Sequence, residues 1–159
     1  MSHEEIYQRY LCAGALTRNA DALAELFAPD GVVESPLVPA GHDYPRRLEG
    51  REQIRAGMAA YYQRAAAGRA AADGSADGVA NDDGATGTAA AVDTGESRYV
   101  LHDTADPDVF IAEVDAVVAG PDGPSTVSLV QIFRVQDGQI TLLRDYFSPA
   151  IVGQLAASA

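Results

Sequence analysis

Apolar residues recur at helical spacing near the N-terminus. Ile6, Tyr7, Tyr10, Leu11 and Leu16 lie on one stripe and predict a first helix over residues 4–17. Ser2 stands at the N-cap position, and Glu4 and Glu5 fall in the first turn, where the helix dipole favours negative charge. Asn19 is placed to cap a second helix, 20–27, which Pro29-Asp30-Gly31 ends with turn chemistry. A short strand over 32–35 and a proline-rich loop over 36–48 follow. Ile54, Met58, Tyr61 and Tyr62 then give the apolar face of a third helix, from about Arg51 to Arg64 or beyond.

In the C-terminal part the period changes from helical to alternating. Strands are predicted at about 97–104, 108–119, 125–136 and 139–147, with Pro121-Asp122-Gly123-Pro124 as the middle turn. Asp137-Gly138 supplies the positive φ angles of a two-residue hairpin. Pro149 opens a last short helix over 150–157. Helices followed by a meander of long antiparallel strands make an α+β fold.

Alternation also sorts side chains by face. In the last strand Leu143, Asp145 and Phe147 share one face and Leu142, Arg144 and Tyr146 the other. In strand 108–119, Phe110, Ala112, Val114, Ala116 and Val118 form an unbroken apolar row, while Glu113 and Asp115 stand opposite, among Val109, Ile111 and Val117. That row is too long to leave wet, so it is expected on the sheet's outer face, covered by a second copy in a homodimer.

Composition narrows the picture. A chain of 159 residues fits one domain with a workable core. Its formal charge of −12 argues against nucleic acid or an anionic membrane as partner. No apolar run is long enough to span a bilayer and no charged, apolar leader is present, so a soluble cytoplasmic protein is expected. Cys12 alone excludes an internal disulfide and a cysteine metal cluster. Residues 70–96 contain Ala, Gly and Asp but no aromatic or basic residue, and they carry half the net charge. Such a segment offers little to pack and reads as a mobile insertion, with a substrate lid as the functional alternative.

Asp145 is the residue of most chemical interest. If its face lines a pocket, it is a carboxylate among apolar groups, and desolvation raises its pKa into the range of a proton shuttle. The alternative is a solvated strand residue paired with an arginine.

The segments "ADALAELFAPDGVVESP", "LEGREQIRAGMAAYY", "DPDVFIAEVDAVVAG" and "DGQITLLRDYFSP" together resemble the nuclear transport factor 2-like superfamily, in the order that superfamily has them. Its members include ketosteroid isomerase, SnoaL-type polyketide cyclases, limonene epoxide hydrolase and the phenazine-pathway PhzA/PhzB proteins. The resemblance implies a cone-shaped α+β barrel, with N-terminal helices packed into a strongly curved antiparallel sheet whose open end admits a ligand. In the last three families an acid–base carboxylate occupies the position of Asp145. By likeness to limonene epoxide hydrolase, Asp115 matches the general acid and Asp145 the base. The bridging Arg is replaced there by Glu113, and the water-holding Tyr and Asn match Val32 and Glu34. By likeness to ketosteroid isomerase, the base position is Ser35, the oxyanion acid is Gln131 and the oxyanion Tyr falls on Leu11, with Tyr7 one turn away. The phenazine-type likeness runs through "HDYPRRLEGREQIRA", where His42, Arg46 and Arg47 would meet a polar end of a ligand.

The expectation is a cofactor-independent acid–base enzyme, an isomerase or cyclase of secondary metabolism acting on a small hydrophobic metabolite. Asp145 shuttles the proton, Asp115 or Glu113 is the second acid–base group, and Gln131 stabilises developing negative charge. Tyr7, Leu11, Glu34, Ser35, His42, Met58, Tyr62, Leu143 and Phe147 are expected around the substrate. No metal spacing and no phosphate-binding loop is present, so no metal or cofactor is implied. Two other readings stand beside it: an epoxide hydrolase or epoxide-opening cyclase using Asp115 and Asp145, and a noncatalytic binding or interaction module.

Overall fold

A computed structural model describes residues 1–72, 92–120 and 122–151. Helix α1 (His3–Leu11) starts at a reciprocal cap, with Glu5 N–H donating to Ser2 Oγ at 3.2 Å and Ser2 N–H to a Glu5 carboxylate oxygen at 2.7 Å. The predicted continuation to residue 17 is different: Cys12–Leu16 is a π-helical turn, closed by Thr17 N–H donating five residues back to the Cys12 carbonyl at 2.9 Å. Thr17 Oγ1 also donates to that carbonyl, at 2.7 Å. Such a turn holds one extra residue and swings the following side chains around the helix axis. Helix α2 (Ala20–Glu25) is capped by Asn19, whose side-chain oxygen accepts from Ala22 N–H at 2.9 Å.

Strand β1 (Phe27–Glu34) begins earlier than its sequence predicts. Pro29-Asp30-Gly31 does not end the helix; it forms an irregularity inside β1, where Phe27 faces Ile140 and Val32 already faces Leu142. Strand β2 (Arg47–Glu49) closes the proline loop, and α3 (Arg51–Ala72) is longer than the apolar pattern required. The remaining strands are β3 (Arg98–Asp103), β4 (Val109–Gly120), β5 (Gly123–Gln136) and β6 (Gln139–Tyr146).

The sheet order is β2-β1-β6-β5-β4-β3. Neighbours are antiparallel except β1 and β6, which run parallel, so the sheet is mixed rather than purely antiparallel. The chain leaves β1 through β2 and α3, returns at the far edge with β3, and works back until β6 lies beside β1. The helices cover one face, giving the expected α+β cone. Its core joins Ile6, Tyr7, Leu23 and Ile54 from the helices to Phe27, Phe110, Phe133, Ile140 and Leu143 from the sheet. Phe110 and Phe133 stack with centroids 4.7 Å apart, and Tyr7 meets Phe133 edge-on at 5.7 Å. No helix among the described residues is long and apolar enough to cross a membrane.

The β4 faces are the reverse of the expectation. Phe110 and Ala112 are fully buried and Val114 and Val118 nearly so, all facing the helices, whereas Glu113 and Asp115 are exposed on the outer side. Period-two alternation groups residues by face without saying which face is inward, and desolvation decides: the apolar row gains by burial and the carboxylates by water. The observation that motivated a dimer, an apolar row on the outer face, is therefore removed.

The low-complexity segment is also narrower than 70–96. Residues 70–72 belong to α3, and Val92 bridges to Val118. Asp93 N–H donates to the Val117 carbonyl at 2.8 Å, and Ser97 Oγ accepts from Val117 N–H at 2.9 Å. The rest of that segment, 73–91, lies outside the described residues. So does most of the predicted last helix, of which 149–151 form a helical turn.

Gly31 shows how tightly β1 is seated. A Cβ there would stand 2.9 Å from the Ile140 carbonyl oxygen, 3.0 Å from that of Ala28 and 3.1 Å from Phe27 Cβ. Two of these are backbone atoms and cannot turn away. Gly31→Ala should cost about 2 kcal/mol through overpacking and lower the melting midpoint by roughly 4–8 °C, read by thermal denaturation. An unchanged midpoint would mean that the irregularity in β1 is free to relax.

Candidate active site

The helices and the inner face of β3–β6 enclose a cavity of about 450 Å³, within the range of small-molecule sites. Six of the seven tyrosines line it: Tyr7 and Tyr10 from α1, Tyr44 from the proline loop, Tyr61 and Tyr62 from α3, and Tyr99 from β3. The π turn contributes Gly14, Ala15 and Leu16, with Arg18 just beyond. Leu11, Met58, Val114, Leu129 and Gln131 complete much of the wall, and Asp145 is the one carboxylate in it among the described residues.

Asp145 is placed by rigid backbone. The hairpin before it turns through Asp137 at φ 51° and Gly138 at φ 77°, the left-handed pair that a two-residue turn requires. The register then sets Asp145 beside Gln131 of β5. Asp145 is 6% exposed, and its Oδ1 has no hydrogen-bond partner among the described residues. Burial pushes its pKa from the ordinary 3.8 up to about 7, against the opposing pull of a hydrogen bond from Gln131.

Gln131 organises the neighbouring hydroxyls. Tyr7 Oη donates to Gln131 Oε1 at 3.4 Å, and Gln131 Nε2 donates to Tyr10 Oη at 3.1 Å. An ionised Asp145 only accepts hydrogen bonds, so it fixes the amide with nitrogen toward itself. Both amide hydrogens are then engaged, one by Asp145 and one by Tyr10. With its oxygen accepting, Tyr10 keeps its own proton for another acceptor, and it donates to none among the described residues. Desolvation, reinforced by the Asp145 carboxylate, raises the pKa of Tyr10 well above its usual value, and the same causes act on Tyr7 and Tyr44. Tyr62 is pushed up to about 12 by burial, with the Arg18 charge opposing. All four are therefore neutral hydroxyls at physiological pH.

Of the residues singled out in the sequence, Tyr7, Leu11, Met58, Tyr62, Gln131 and Asp145 meet in this cavity. Phe147 packs edge-on against Tyr44 at 5.0 Å, and Leu143 is a core residue at the base of β6. Ser35 is fully buried but outside the cavity wall. Glu34 lies on the other side of β1, paired with Arg47 and, at 2.8 Å, with Arg144. His42 Nδ1 accepts from Tyr44 N–H at 3.0 Å, which shapes the loop rather than the cavity. Asp115 accepts from Ser128 Oγ at 2.5 Å and Glu113 meets His102 at 3.1 Å, both across the sheet from Asp145. Neither is a second acid–base group for Asp145, and the pair needed for epoxide hydrolysis of that design is not assembled. Gln131, expected to stabilise an oxyanion, lines the cavity and donates to Tyr10 Oη.

Tyr10, Tyr44 and Arg18 were not anticipated at the site. Tyr10 sits on the apolar stripe of α1 and reads as core. Its signal was the choice of Tyr over Phe, since a buried hydroxyl needs a partner. Among the described residues no group of three or more His, Cys, Asp or Glu could hold a metal ion.

With this geometry established, known proteins give a context. The family profile described as the SnoaL-like domain matches residues 7–143. An uncharacterised PhzA/B-like protein of Pseudomonas aeruginosa is 30% identical over 138 residues, spanning 84% of this chain and 77% of that one. A candidate isomerase from Bacillus subtilis superposes with a TM-score of 0.66 at 19% identity, covering 98% of this chain and 92% of its own. A phenazine biosynthesis-related protein from P. aeruginosa gives a TM-score of 0.55 at 15% identity, covering 98% and 82%. At these identities the structural matches speak for the fold.

The Asp145 environment predicts a pH dependence of stability. Its folded pKa lies above the unfolded value, so between about 4 and 7 the folded state holds the extra proton, and stability falls as pH rises through that window. The gap from 3.8 to about 7 corresponds to at most about 4 kcal/mol, fully lost above pH 7. Asp145→Asn removes the penalty, so its melting midpoint should exceed wild type at pH 8 and converge with it near pH 4. A lower midpoint at pH 8 would identify Asp145 as a structural acceptor instead.

Proposed function

The chain belongs to the SnoaL-like domain family, and from that premise we propose that it is a cofactor-independent acid–base enzyme of the isomerase or cyclase type, acting on a small, largely apolar, carbonyl-bearing metabolite. The observation that carries this reading is the arrangement at the floor of the cavity. A buried carboxylate with a pKa near 7 stands beside a tyrosine hydroxyl, and one glutamine orients both.

Those groups suit proton abstraction next to a carbonyl. The Asp145 carboxylate takes the proton from carbon, and the electron pair moves onto the carbonyl oxygen. Tyr10 Oη–H donates to that oxygen as its charge develops, a donor already aimed before the reaction and kept protonated by its raised pKa. Asp145, now neutral, returns the proton to a different carbon in an isomerisation. In a cyclisation the enolate carbon attacks a second carbonyl of the same molecule, and Asp145 gives its proton to the new alkoxide. A base whose pKa lies near the working pH is effective in both directions. The tyrosine and aliphatic walls exclude water and give an aromatic ring faces to lie against.

The test uses 2-tetralone, a bicyclic aromatic ketone with an acidic C–H, followed by NMR as its α-hydrogens exchange in D₂O. Asp145→Asn should slow exchange about 10²–10⁴-fold, and Tyr10→Phe about 10²–10³-fold, the usual loss for one oxyanion donor. Retained binding with exchange no faster in wild type than in Asp145→Asn would overturn the reading in favour of a binding module.

A further inference from the structure

Among the described residues only two side-chain oxygens are buried with no hydrogen-bond partner: Ser35 Oγ and Asp145 Oδ1. Asp145 lies in β6, and Ser35 follows directly on the last residue of the neighbouring β1. β1 and β6 run parallel with Val33 beside Leu143 and Glu34 beside Arg144, and the next step in that register sets Ser35 abreast of Asp145. Val33, Leu143, Ser35 and Asp145 are all buried, so the pair shares the inward side of the sheet. Adjacent strands lie about 4.8 Å apart, which brings a serine hydroxyl and an aspartate oxygen within reach by side-chain rotation or through one water. The serine backbone is tied down, its N–H donating to the Arg46 carbonyl at 2.8 Å and its carbonyl accepting from Val38 N–H at 3.1 Å. Only the side chain is left to choose a partner.

We infer that Ser35 is a positioning residue for Asp145, its hydroxyl serving Oδ1 from the protein side while the carboxyl presents itself to the cavity. A hydroxyl suits a group that must cycle. It donates to the carboxylate when Asp145 is ionised and accepts from the acid when Asp145 is protonated, so neither state leaves a buried orphan. Gln131 gives the carboxyl one donor from β5, and Ser35 gives the second from just past the end of β1. The other groups facing Asp145 are the neutral hydroxyls of Tyr7, Tyr10 and Tyr44, and of the cavity's arginines Arg98 is exposed while Arg18 is half-buried beside Tyr62.

This role rests on Asp145 being the working acid–base group, but its test needs no substrate. The carboxyl of Asp145 is titrated by ¹³C NMR in protein carrying labelled aspartate, with Asp145→Asn giving the assignment. Ser35→Ala should raise the Asp145 pKa by about one pH unit, the effect of losing one hydrogen bond to a charged group. It should also lower the melting midpoint at pH 8. Ser35→Cys, a weaker donor, should shift the titration the same way by less, and it decides the matter if Ser35→Ala does not fold. An Asp145 titration within about 0.2 units of wild type in the folded variant would overturn the inference, and a higher melting midpoint would confirm that Ser35 is only an orphan hydroxyl. Failure of ketone exchange with an intact Ser35 effect would overturn the reaction and leave the positioning role standing.

Discussion

A carboxylate held away from water, with no cation among the described residues acting on it, is the constraint on which this molecule turns. Burying Asp145 is expensive, and among the described residues only a hydrogen bond from Gln131 offsets the cost. It persists because its backbone has no alternative: the hairpin at Asp137-Gly138 fixes β6, β5 and β1 flank it on either side, and Phe147 beyond it is pinned by Tyr44. The same burial that destabilises the fold sets the group's proton affinity near neutrality. Stability lost and acid–base capacity gained are one quantity here, seen from two sides.

Two local departures from regular structure set the surroundings of that group, one in the cavity wall and one in β1. The π turn at Cys12–Leu16 lets small residues, Gly14 and Ala15, face the cavity where a regular helix would continue its apolar stripe. The irregularity around Pro29-Asp30-Gly31 lets β1 bend and still align Val32, Val33 and Glu34 with β6. Without that alignment Ser35 would not come abreast of Asp145. The β5–β6 pair carries an irregularity of its own at Arg134–Val135, while β4 and β5 are long and evenly paired.

Much of the fold was legible because its signals are local. Caps at Ser2 and Asn19, the Asp-Gly hairpin and alternation in β4–β6 act within a few residues, and the likeness to a known superfamily supplied their assembly. What stayed hidden depends on partners distant in sequence. The parallel β1–β6 pair joins residues about a hundred positions apart, and no local pattern announces it. The side of the sheet on which Glu113 and Asp115 fall was set by what covers β4, so the alternation was read correctly and oriented wrongly. The apolar face-mates Leu143 and Phe147 made Asp145 a candidate, and it was the likeness to the superfamily, with an acid–base carboxylate at that position, that singled it out. Tyr10 was missed because a tyrosine on a helix stripe looks like core until the cavity is known to lie beneath it.

Charge placement bears on the kind of chemistry the site suits. Ion pairs gather on the outside, where Glu34 meets Arg47 and Arg144 and where Arg55 meets Asp21, Glu25 and Glu52. Among the described residues the cavity wall keeps one carboxylate. A second one beside Asp145 would be repelled by it and further desolvated, raising both affinities for protons and costing more stability. Hydrolysis of an epoxide by an acid–base pair needs two such groups at once, one to give a proton and one to activate water. Proton transfer within a single substrate needs only one, because the group that removes the proton is the group that returns it. A lone carboxylate near its pKa, with a tyrosine donor and walls that exclude water, favours the second kind of reaction over the first.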